Sequence, residues 1–111
     1  MKVREIAEKL NLTVLSGTEG LDAEINNGYS SDLLSDVMGN AGSGDIWITL
    51  QTHKNVMAIA SLKDLAAVIL VKGFVPDPDM AEQSNEEGIP VLSTNEDTFT
   101  INGKLYNLLN S

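Results

Sequence analysis

Between Ile46 and Ser93 the chain reads as three apolar, β-prone runs separated by two helical stretches, and this alternation constrains the fold more than any other feature. The runs are Ile46-Trp47-Ile48-Thr49-Leu50, Ala66–Val71 and Ile89-Pro90-Val91-Leu92-Ser93. Between the first two, Val56, Ile59 and Ala60 recur at helical spacing, with Thr52 as the expected N-cap and the helix running through Ser61. Between the last two, Gly73–Pro78 makes a turn, and a helix beginning near Asp79 uses Met80 and Ala81 and ends at Gly88. Strand–helix–strand–helix–strand at these spacings is the signature of parallel βαβ units with right-handed crossovers. The expected fold class is therefore α/β: a single three-layer or two-layer domain with a mostly parallel sheet, an extra N-terminal helix and short strands.

The N-terminal half carries weaker signals. Val3, Ile6, Ala7 and Leu10 form an amphipathic stripe that should stop near Asn11, and Thr13–Leu15 gives a short extended segment before Ser16–Gly20 breaks the pattern. A second extended piece includes Ile25 and Tyr29. Leu33, Leu34, Val37 and Met38 predict a brief helix capped by Ser31 or Asp32 and ended by the glycine-rich turn at Gly39–Gly44. At the C-terminus Asn102-Gly103 signals a hairpin, yet Ile101, Leu105 and Leu108 fall on one helical face with Phe99, Tyr106 and Leu109 beside it. A helix there would cover the sheet, so helix is preferred.

A length of 111 residues fits one domain, 1–111, large enough to bury a core without disulfide or metal staples. With 7 basic and 16 acidic residues the net charge is −9, which opposes binding to phosphate backbones and anionic lipid surfaces. Neither nucleic acid nor membrane is an expected partner. The absence of cysteine removes disulfides, thiolate nucleophiles and thiolate metal ligation. No apolar run is long enough to span a bilayer and the first helix lacks the unbroken core of a signal peptide, so a cytoplasmic location is expected.

No complete catalytic set can be assembled from these residues. Gly39–Gly44 is glycine-rich, but Asp45 stands where a phosphate-binding loop needs a cation. Asp32, Asp36 and Asp45 lack an EF-hand arrangement, and a single histidine leaves no metal site. Ser30 or Ser31 as nucleophile would need a base, for which His53 is the one candidate, together with oxyanion donors. Binding is the better expectation. Thr49-Leu50-Gln51-Thr52-His53 leads from the carboxyl end of a strand into a helix, where open α/β sheets take ligands and free amides favour anions. Ser30, Ser31 and Asp32 should meet this loop, with Lys72, Ser93 and Thr94 arriving from the next strand ends. Lys72 is the one cation there. Neither a cofactor nor a metal is implied.

The run GYSSDLLSDVMGNAGSGDIWITLQTHKNVMAIASL, followed by AAVILVKGF, IPVLSTNEDTF and KLYNLL, resembles the DRTGG domain family, in particular its small stand-alone members. The likeness extends from about Gly28 to Leu109. The resemblance implies a compact α/β domain, usually dimeric, found alone, beside CBS domains in regulated pyrophosphatases, or in phosphotransacetylases, and similar to the N-terminal domain of HPr kinase/phosphorylase. The letters that name the family are absent: its Asp-Arg pair falls near Thr52-His53, and its Thr-Gly-Gly near Val71-Lys72-Gly73, where only Gly73 matches. The kinase activity of the HPr enzyme resides in a P-loop domain that has no counterpart here.

The expected function is thus a non-enzymatic regulatory or ligand-sensing module, homodimeric, binding a small anionic or nucleotide ligand and acting with a separately encoded metabolic enzyme. Leu33, Leu34, Val37 and Met38 are the apolar cluster expected at the dimer surface. The alternative is a small hydrolase, or an HPr-kinase-related enzyme component, using Ser31 and His53.

Overall fold

A computed structural model describes all residues, 1–111, as a three-layer α/β/α sandwich around one five-stranded sheet. The elements are α1 (Val3–Lys9), β1 (Thr13–Ser16), β2 (Asn27–Ser30), α2 (Leu34–Asn40), β3 (Asp45–Thr49), α3 (Asn55–Leu62), β4 (Ala67–Leu70), α4 (Pro78–Glu87), β5 (Val91–Ser93) and α5 (Thr98–Leu109). A 3₁₀ turn, Thr18–Gly20, joins the first two strands. Strand order is β1-β5-β4-β3-β2. β2, β3, β4 and β5 run parallel, and β1 closes one edge antiparallel to β5 with an irregularity between Val14 and Ser16.

Strand alternation divides the core into two halves, because successive side chains point to opposite faces. Ile46, Ile48, Ala67, Ile69 and Leu92 face α1 and α5, joining Val3, Ile6, Ile101 and Leu105. Trp47, Val68, Leu70 and Val91 face α2, α3 and α4, joining Val37, Val56, Met57, Ala60 and Met80. Three crossover helices on one face of four sequentially adjacent strands is the arrangement expected of right-handed βαβ connections. That arrangement puts the loops after β2, β3, β4 and β5 along one edge of the sheet.

Helix ends follow local chemistry, with two departures from the sequence expectation. Gly88 ends α4 in the left-handed conformation (φ 65°) that glycine adopts without a Cβ clash. Asp97 caps α5 by accepting from the Thr100 N–H (2.8 Å), which decides the final segment as helix and not hairpin. Thr52, however, does not cap α3: the N-cap is Lys54, and the carbonyls of His53 and Lys54 accept from Val56 and Met57. Asp32 does not cap α2 either, since its carboxylate turns toward the β3 loop, as described below. Ser31 Oγ accepts from the Leu33 N–H (3.1 Å), one residue short of the helix. Ile25 is buried but precedes β2.

The apolar cluster predicted for a dimer surface is split. Val37 is fully buried and Leu34 packs against the same core, whereas Leu33 is 64% exposed and Met38 37%. On α5, Phe99 (87% exposed) and Tyr106 (68%) stand out from the helix and do not flank its buried stripe. No helix is long and apolar enough to cross a membrane.

Candidate functional site

The loops following β2 and β3 meet through one carboxylate. Asp32 Oδ1 accepts from the Thr49 hydroxyl (2.8 Å) and from the Leu50 N–H (2.8 Å), while the Asp32 carbonyl accepts from Gln51 Nε2 (2.9 Å). Thr49 Oγ1 in turn accepts from the Gln51 N–H (3.2 Å), and Gln51 Oε1 lies 3.2 Å from His53 Nε2. Thr49 is buried at the end of β3, which needs a satisfied hydroxyl there; Asp32 supplies the acceptor. Below this brace, Trp47 is fully buried and its Nε1–H donates to the Ser31 carbonyl (2.8 Å). Ser31, Asp32, Thr49, Gln51 and His53 are thus brought together, as the sequence placed them.

Asp36 extends the brace toward α2. It accepts from the Tyr29 hydroxyl with both carboxylate oxygens (2.9 Å each) and from Asn40 Nδ2 (3.0 Å). Hydrogen bonding by the Ser31 and Tyr29 hydroxyls, with Asn40, holds its carboxyl below the ordinary carboxylate range despite partial desolvation. The same bond raises the Tyr29 phenol, because the neutral form is the donor.

The remaining expected residues divide. Thr52 follows the brace, and its carbonyl accepts from the Asp77 N–H (2.8 Å), tying the start of α4 to the same edge. Lys72 sits after β4 in the left-handed conformation (φ 58°), with its N–H donated to the Glu96 carbonyl (2.9 Å). Its ammonium takes part in none of the three ion pairs, which are Met1–Glu24, Arg4–Asp22 and Lys104–Glu96. Thr100, through its N–H and hydroxyl, lowers the Asp97 carboxyl, and the charge of Lys72 adds to this. Ser93 and Thr94 line a polar hollow of about 430 Å³ with Asn11, Thr13, Asn95 and Lys104. Ser30 is the exception. It points across the sheet toward α5, its hydroxyl donating to Asn102 Oδ1, and joins a groove on the opposite face.

Ser31 Oγ is engaged by Leu33 and His53 by Gln51, so the two side chains are not hydrogen-bonded to each other. Of the amides opening α3, those of Val56 and Met57 donate to the His53 and Lys54 carbonyls, so two of the donors expected for an anion at that helix start are already occupied. No group of three or more His, Asp or Glu residues is placed to hold a metal ion.

The model of the DRTGG domain matches residues 5–108. The chain belongs to the DRTGG domain family. Among solved structures, it resembles the CBS and DRTGG domains of the regulatory region of Clostridium perfringens pyrophosphatase complexed with activator, diadenosine tetraphosphate. That likeness has a TM-score of 0.73 at 18% identity, and it covers 94% of this chain and 45% of the other. No curated protein matches the sequence.

Within this DRTGG domain, the groove under α5 is the feature that sequence reasoning missed. It holds about 180 Å³ between the edge strand β2 and α5, lined by Asn27, Gly28 and Ser30 on one side and Asn102, Tyr106 and Asn110 on the other. Two signals pointed to it: Ser30 and Ser31 must face opposite sides of a strand, and Asn102, Tyr106 and Asn110 recur at i, i+4, i+8.

Proposed function

We propose that this DRTGG domain is a non-enzymatic regulatory module that senses a small anionic or nucleotide ligand, works as a homodimer and acts with a separately encoded metabolic enzyme. Family membership and the likeness to a pyrophosphatase regulatory region that takes a nucleotide activator support the regulatory role. The observation that carries the site is the brace at the carboxyl edge, where Asp32, Thr49, Gln51 and His53 fix two loops against each other. Such loops after parallel strands are where open α/β sheets bind ligands. In this reading Ser31, Asp32 and Thr49 are the preorganised wall. Gln51, Thr52 and His53 form the rim, and Lys72, Ser93 and Thr94 approach from the neighbouring strand ends. Lys72 supplies the positive charge that an anion needs beside a chain of net charge −9. The exposed Leu33 and Met38 belong to the dimer contact.

The hydrolase alternative, with Ser31 and His53, finds less support, because each side chain is bonded elsewhere. Thermal-shift screening of the whole chain against nucleotides and phosphorylated metabolites tests the sensing role. A ligand at about 100 times its dissociation constant adds roughly 2.7 kcal/mol, a shift of several degrees in a domain of this size. Stabilisation that disappears in a Gln51→Ala, Lys72→Asn double variant is expected; a panel with no stabilising member overturns the proposal.

A further inference from the structure

We infer that the groove between β2 and α5 is a second binding site, distinct from the carboxyl edge, and that it takes the uncharged base of a purine nucleoside. The lining carries no charged side chain. Although 21% of the chain is charged, the groove presents only amides and hydroxyls, from Asn27, Ser30, Asn102, Tyr106 and Asn110, over an apolar floor of Ile48, Leu105 and Leu109. A charged ligand would find no counter-ion there. A neutral one loses little on leaving water if its polar edge is met.

Part of this polar lining is uncommitted. Ser30 donates to Asn102 Oδ1, and Asn110 Nδ2 donates to the Tyr106 carbonyl (2.9 Å). Asn102 Nδ2, Asn110 Oδ1, the Asn27 amide and the Tyr106 hydroxyl are not paired to other protein groups. An asparagine amide offers one donor and one acceptor side by side, the complement of the N6/N7 edge of adenine. Tyr106, 68% exposed, offers a ring face for stacking beside them. From Asn102 to Asn110 the helix rises roughly 12 Å, long enough for a bicyclic base with its ribose. Gly28 permits this closeness of strand and helix, since a Cβ there would stand 3.1 Å from Leu105 Cδ2.

The probe is adenosine, which has the base and no phosphate, titrated into isotopically labelled full-length chain at low protein concentration. Saturable chemical-shift changes at Gly28, Asn102, Tyr106 and Asn110 are expected, with little dependence on salt. Base stacking on an aromatic ring is worth about 1–3 kcal/mol, so Tyr106→Ala should weaken binding roughly tenfold or more, and Asn102→Ala should also weaken it. Both side chains lie on the surface of α5, and an unchanged melting temperature confirms that the variants fold. The Gln51→Ala, Lys72→Asn variant should bind adenosine as the wild type does. No saturable change at millimolar adenosine overturns the inference, as do shifts confined to the carboxyl edge. Shifts at the groove that grow with protein concentration in the absence of adenosine would identify a second copy of the chain as its occupant and equally overturn it.

Discussion

The carboxyl edge of the sheet and the groove under α5 are both rich in small polar side chains, but they use them in opposite ways. At the edge, Asp32, Thr49, Gln51 and His53 bond mainly to one another and to the backbone, so their first product is a rigid pair of loops. In the groove, the Asn27 amide and the Tyr106 hydroxyl have no protein partner, and Asn102 and Asn110 each keep one end of the amide free. The edge therefore couples to stability, while the groove is nearly free of the fold. Composition alone does not separate the two cases; the partner of each polar atom does.

The largest effect should come from Trp47, on which the edge rests. Trp47→Ala empties a fully buried site and is expected to cost about 3–5 kcal/mol in denaturant unfolding. Trp47→Phe keeps most of the packing but leaves the Ser31 carbonyl without its donor, at about 1–2 kcal/mol. If both variants unfold at the same denaturant concentration as the wild type, the edge is not anchored through this residue.

Asp32→Ala should rank next, at about 1–3 kcal/mol, because it strips the acceptor from the buried Thr49 hydroxyl and from the Leu50 N–H. In a cycle with Thr49→Val, the two losses should be non-additive, as expected for partners in one bond. Additive losses would show that the brace does not act as a unit.

A smaller effect belongs to acid. Asp36 has a depressed folded-state pKa, so its contribution is present above the unfolded value, near pH 3.9, and is lost as pH falls through the folded one. Melting temperature measured down this range should therefore fall less steeply in Asp36→Asn than in the wild type. Parallel acid limbs would contradict the assignment. The smallest effects should come from the exposed side of α5: Tyr106→Ala, in the groove, and Phe99→Ala, outside it, are expected to change stability by no more than about 0.5 kcal/mol. A larger loss would mean that α5 depends on them for packing.

Those parts of the fold that rest on periodicity were legible in the sequence. The apolar run Ile46-Trp47-Ile48 marked β3, and Gly88 marked the end of α4 through a left-handed conformation that is local to the chain. Elements governed by distant partners were not legible. The antiparallel pairing of β1 with β5 is made over a few residues of modest pattern, and α3 starts later than Thr52 because the intervening turn satisfies its own amides. In the candidate site, the convergence of Ser31 and Asp32 with Thr49–His53 followed from parallel topology. Ser30 and the α5 groove were not legible, because adjacent serines at a strand end face opposite sides of the sheet and Tyr106, expected beside the Ile101 and Leu105 stripe, stands out from it.

The central claim, that the carboxyl edge is the sensing site, is tested most directly by calorimetric titration of the ligand that screening selects. Wild type and the Tyr106→Ala variant should bind its anionic portion alike, and the Gln51→Ala, Lys72→Asn variant, in which asparagine tolerates the left-handed backbone at position 72, should bind at least tenfold more weakly, about 1.4 kcal/mol. Equal affinity in the wild type and the Gln51→Ala, Lys72→Asn variant would contradict the account.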